Sequence, residues 1–148
     1  MQAVPWRSNQ ASFSPATLML FVAEYESNMS QERLAQPRYM VHWQSRIMTR
    51  DRQVHSALVE HIAQKGVSIK TDTALTLGSD VNIEFYIKYR DKKERIRAKT
   101  KVIYCRVLSS NQGVVLELKF THISGEEMHI YNNTLQLLGN AREFQLKL

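Results

Sequence analysis

The side chains in this sequence that could do chemistry are mostly cationic. Lys88, Arg90, Lys92, Lys93, Arg95, Arg97, Lys99 and Lys101 crowd into one run, KYRDKKERIRAKTK, offset only by Asp91 and Glu94. Side chains of this kind attract phosphates, carboxylates and nucleic acid. Arg33 and Arg38 stand apart from that run, in ERLAQPRYMVHW. A guanidinium is a planar fork that pairs bidentately with a phosphate or with the O6/N7 edge of guanine. Further on, LVEHIAQKGVSI puts His61 two residues before Ala63, so the two share one face of a strand. Gly66 marks a backbone that needs positive φ or a close approach to something.

Nothing in the sequence assembles into a catalyst. His42, His55, His61, His122 and His129 form no i, i+4 pair with an acid between them. H-E-x-x-H, P-loop, G-x-G-x-x-G and G-x-S-x-G patterns are absent. Cys105 is the single cysteine, so neither an intramolecular disulfide nor a thiol-based metal site can form. We expect no enzyme, no catalytic residue, no metal and no cofactor. A lone thiol also suits a reducing compartment.

The 148 residues are 43% hydrophobic and 23% charged, enough for one core, with a net charge of +6. TLMLFVAEY is too short to span a bilayer, and no cleavage pattern follows it. A cytoplasmic protein without a membrane span is expected.

The elements that must position these side chains are strands. Residues 1–30 are rich in Ser, Gln, Asn and Ala, and are expected to be an extension with at most one short helix, capped by Ser14 with Pro15 at its first position. Translation is expected to begin at Met1 or at Met29. From Tyr39 the chain alternates. Tyr39, Val41, Trp43 and Ile47 share a face, as do Val54, Leu58 and Ile62. Val81, Ile83, Phe85, Ile87 and Tyr89 form the clearest apolar face, and Arg97, Lys99 and Lys101 form a basic one. Tyr89 and Tyr104 fit apolar faces. Val114, Leu116, Leu118 and Phe120 lie opposite Glu117 and Lys119. Six strands with short turns favour a closed antiparallel barrel, because closure removes exposed edges. A final helix opens on the capping box Ser124-x-x-Glu127, carries Met128, Tyr131, Leu135 and Leu138 as a stripe, and is expected to stop at Gly139. The expected domain is 31–140, followed by a tail over 141–148.

This order of elements resembles the PilZ domain family. The resemblance covers roughly Arg33 to Gly139, and it implies a mainly β fold: a six-stranded antiparallel barrel with a C-terminal helix. Many PilZ domains bind the bacterial second messenger cyclic di-GMP. They use an R-x-x-x-R motif just before the first strand and a [D/N]-x-S-x-x-G motif at the end of the second. In HIAQKG only Gly66 matches the second motif; His61 stands at the acid or amide position and Ala63 at the serine. Arg38 matches the closing arginine of the first motif, but Leu34 stands four residues before it, with Arg33 one place off. If the ligand binds at all, Arg33, Arg38, His61 and Gly66 are therefore the candidate cyclic di-GMP residues.

Alanine offers no hydrogen bond, and a neutral histidine cannot reproduce the two acceptor oxygens of a carboxylate. The lost contacts would cost on the order of 4–6 kcal/mol if additive, roughly a thousandfold or more in affinity. The resemblance with these departures implies a degenerate PilZ domain of the cyclic di-GMP pathway. It would act as an adaptor toward a bacterial signalling, pilus or motility protein. Two alternatives stand beside it: a working cyclic di-GMP receptor with an off-register arginine pair, and a basic barrel that binds nucleic acid.

Overall fold

A computed structural model describes residues 31–89 and 91–147. The short helix expected from Ser14 and Pro15, and Met29, lie outside the described residues. Contacts divide the chain into Met1–Glu32 and a compact unit, Arg33–Leu148.

That unit holds six strands: β1 (Tyr39–Met48), β2 (Val54–Ala63), β3 (Gly66–Thr71), β4 (Asp80–Tyr89), β5 (Lys92–Val107) and β6 (Val114–Ile123). They close into a barrel in the order β1-β2-β3-β6-β5-β4, and every pairing is antiparallel. A helix, α1 (Gly125–Lys147), follows β6.

The alternation seen in the sequence sets the inward face. Trp43 and Ile47 of β1, Val81, Ile83, Phe85 and Ile87 of β4, and Leu116 and Leu118 of β6 are all buried in one core. Trp43 and Phe85 stack with ring centroids 6.2 Å apart, and the Trp43 Nε1–H donates to the Lys88 carbonyl at 3.1 Å. On β5, Ile96, Ala98 and Val102 point inward while Arg97, Lys99 and Lys101 are exposed, as their alternation requires.

The reading of β2 needs correction. Val54 is exposed and Leu58 lies outside the core cluster, whereas Val59 is fully buried. The pairing of β2 with β3 shifts register between Val59 and His61. Such a bulge inserts one residue and reverses which side chains face inward. Val59 before it and Ile62 after it therefore both reach the core, although they are three residues apart. A second bulge, between Val102 and Tyr104, sets Tyr104 opposite Glu117, so Tyr104 does not join the apolar face assigned to it. Cys105 is half-buried and packs against the core.

The helix begins as expected. The Glu127 amide donates to Ser124 Oγ at 3.2 Å, and the Ser124 hydroxyl donates to Glu127 Oε1 at 2.9 Å. Met128, Leu135 and Leu138 pack on the core, and Tyr131 is fully buried within it. The expected stop at Gly139 is not there: α1 runs on to Lys147. Gly139 serves packing instead. A Cβ at this position would lie 2.8 Å from the Tyr39 hydroxyl, so the bare glycine leaves room for the Tyr39 ring where it lies.

Candidate functional site

Four residues line up across the outer face of the barrel. His61 of β2 pairs with Ser68 of β3, Ser68 with Glu117 of β6, and Glu117 with Tyr104 of β5. Strand alternation points Glu117 away from the core and toward solvent. Even so, it has no exposed surface. The segment leading into β1 folds back over it. Arg33 and Arg38 each donate from Nη2 to Glu117 Oε2 at 2.8 Å, and the Leu34 amide donates to Oε1 at 2.9 Å. The Arg33 guanidinium also lies 3.9 Å from the centre of the Tyr104 ring. The Arg38 side chain is 14% exposed and that of Arg33 50%, so Arg33 forms the outer lid.

The sequence pairs Arg33 with Arg38, and the structure brings them together, but on an internal carboxylate. Leu34, at the motif's first arginine, is buried and packs against Gly66. His61 stands two strands from Glu117 in the same row and is half-buried; its side chain makes no hydrogen bond or ion pair among the described residues. Ala63 is buried, and its carbonyl accepts from the Tyr131 hydroxyl at 2.7 Å. Gly66 does not adopt positive φ. It is there for close approach: a Cβ would lie 2.0 Å from the Leu118 carbonyl oxygen. Its own carbonyl accepts from Tyr131 at 3.0 Å.

The electrostatics of Glu117 follow from this cover. Burial pushes its pKa up, but the hydrogen bonds from Arg33, the Leu34 amide and Arg38, together with the Arg38 charge, more than offset that. The net result is a pKa below the ordinary carboxylate range. A depressed folded-state pKa gives stability that is present above the unfolded pKa, about 4.3 for Glu. That stability is lost as pH falls through the folded value. Urea unfolding of the wild type should therefore weaken from about pH 5 downward more steeply than that of Glu117→Gln. Parallel slopes for the two proteins would remove Glu117 from the acid response.

Glu117 and Ser68 are the residues that sequence reasoning missed. Glu117 alternates with leucines in VVLELKF and so reads as a solvent-facing charge. The two arginines that cover it lie 84 and 79 residues away. Among the described residues no group of three or more His, Cys, Asp or Glu could hold a metal ion. No helix among them is long and apolar enough to cross a membrane.

A barrel closed in this order, with a lead-in segment bearing arginines and a glycine opening β3, defines a class. The PilZ domain family model matches residues 32–136, and the chain belongs to that family. Among solved structures it is similar to the inhibitor of motility MotI/DgrA of Bacillus subtilis, at 12% identity and a TM-score of 0.58, over 78% of this chain and 54% of that one. It is also similar to the PlzA protein of Borreliella burgdorferi, solved in complex with c-di-GMP, at 13% identity and a TM-score of 0.43, over 80% of this chain and 48% of that one. The chain thus spans about half the length of each. No curated protein matches it.

Proposed function

We propose that this chain is a non-catalytic PilZ domain of cyclic di-GMP signalling whose nucleotide motifs are degenerate, and that it works in the cytoplasm as an adaptor. The observation that carries this is the Glu117 cluster. The two guanidiniums available for phosphate or guanine are held by a carboxylate of the protein itself. A nucleotide would have to replace charge-assisted hydrogen bonds that are already made. Leu34 fills the place of the first motif arginine, and Ala63 is a buried residue with no hydroxyl to offer. The natural class of partner is a bacterial signalling, pilus or motility protein, in keeping with the family and with a neighbour that inhibits motility.

One observation favours a receptor instead. Two guanidiniums face one carboxylate, so the cluster keeps a net positive charge, and Arg33 is half exposed on the Tyr104 ring. Calorimetric titration with cyclic di-GMP at moderate salt separates the two readings, with Arg33→Ala and Arg38→Ala alongside and folding checked by circular dichroism. The adaptor reading expects no saturable heat and no thermal shift up to high ligand concentration. Micromolar binding that is lost in either folded variant would overturn it.

A further inference from the structure

A second outer-face feature lies on other strands. A groove of about 530 Å³ crosses the sheet formed by β1, β4, β5 and β6. Register defines its course: Val54 pairs with Met48, Met48 with Asn82, Asn82 with Lys99, and Lys99 with His122. That row steps across β2, β1, β4, β5 and β6, five of the six strands of the closed barrel, and so bends with its wall. Its two ends differ. Met48 and Val54 are 37% and 59% exposed, an apolar pair on the surface. At the other end stand Arg97, Lys99 and His122, all exposed.

The charges in this groove are unequal in availability. Glu84 is engaged by Arg46 at 2.9 Å and approached by Arg95 at 3.9 Å. Glu127 accepts the Arg97 amide at 2.7 Å and the Ser124 hydroxyl. Both carboxylates are thus occupied. The side chains of Arg97, Lys99 and His122 make no ion pair among the described residues. The groove therefore offers a partner cations and an apolar end, but no unsatisfied acid.

We propose that this groove docks a short segment of a partner protein that is apolar at one end and acidic at the other. No Phe, Tyr or Trp lines the groove, so His122 is its single ring for stacking a base, which argues against single-stranded nucleic acid. This deepens the adaptor reading and rests on it for the existence of a partner, but it uses none of the Arg33, Arg38 and Glu117 cluster.

The test is a two-dimensional 15N NMR titration of the whole chain. The probes are the synthetic peptide Leu-Val-Leu-Ser-Glu-Glu-Glu, its reversed sequence, and a version with Lys in place of each Glu. One acidic peptide should shift the amides of Met48, Asn82, Lys99 and His122, and the Lys version should not. Arg97→Gln/Lys99→Gln should weaken that peptide about tenfold, while Lys92→Gln/Arg106→Gln, which removes the same charge elsewhere, should leave it unchanged. Equal weakening in both variants, or no shift with either acidic peptide, would overturn the proposal. So would tighter binding of oligo-dT or of phosphatidylglycerol vesicles at the same amides. Cyclic di-GMP added to the same samples reports on the other reading separately: shifts at Arg33, Arg38 and Ser68 would sink the adaptor without touching the groove.

Discussion

Glu117→Ala should cost about 3–5 kcal/mol of folding stability, the usual result of removing one partner from a buried ion pair. A domain of this size has a margin of only about 5–15 kcal/mol. The reason lies in what remains. Arg38, 14% exposed, would keep its charge under the lead-in segment with no carboxylate paired to it among the described residues. The Leu34 amide, which donates to Oε1, would be buried without an acceptor. Glu117→Gln should fall between the two proteins, because an amide oxygen can still accept from Leu34. Urea denaturation followed by circular dichroism gives the ranking. The double change Glu117→Leu/Arg38→Met should recover part of the loss, since it removes the two buried charges, while the Leu34 amide still lacks its acceptor. A loss below about 1 kcal/mol in Glu117→Ala would mean that water reaches the carboxylate, and the internal-pair account would fall.

Gly66→Ala should be comparably severe, about 3 kcal/mol, for a steric reason. The added Cβ would meet the Leu118 carbonyl oxygen at 2.0 Å, the Leu118 carbonyl carbon at 3.0 Å and Leu34 Cδ2 at 2.9 Å. The side chain can rotate away, but the backbone of β6 cannot. Moving it breaks the pairing of Gly66 with Lys119 and of Val67 with Leu118. It also disturbs the two carbonyls that satisfy the buried Tyr131 hydroxyl. Gly78→Ala is the comparison. Gly78 has φ of +84° and open space around it, so it carries only the strain of a left-handed residue, about 1–2 kcal/mol. Thermal unfolding should rank Gly66→Ala well below Gly78→Ala. The opposite ranking would show that β3 and β6 can part without penalty.

Where one physical rule governs a stretch, the sequence could be read. The period-2 alternation of β4 and β6 and the box at Ser124 and Glu127 were legible because each depends only on near neighbours. Two kinds of feature were not. Bulges change phase without a marker, so Val59 was missed and Val54 and Leu58 were overvalued. Gly139 looked like a helix stop because glycine does that work often, yet here it makes room for Tyr39. The site was half legible. Arg33 and Arg38 were found as a pair, because guanidiniums announce their chemistry. Their anion was sought in a ligand, because pairing across 79 or more residues leaves no local trace. The closed six-stranded barrel and the family follow from the pattern; the order of the strands and the internal use of the arginines follow only from the fold.

Gly66 bears on how such motifs should be read. One glycine fits β3 against β6, seats Leu34 and leaves the turn carbonyls open to Tyr131. Every one of those duties belongs to the architecture, and none needs a nucleotide. A signature that mixes this glycine with hydrogen-bonding side chains therefore carries two messages written in one string. The glycine spells the scaffold and would persist in a barrel with no ligand at all. The arginines, the acid and the serine spell recognition, and they are free to drift once recognition stops mattering. A match on the glycine alone identifies the vessel and is silent about its contents.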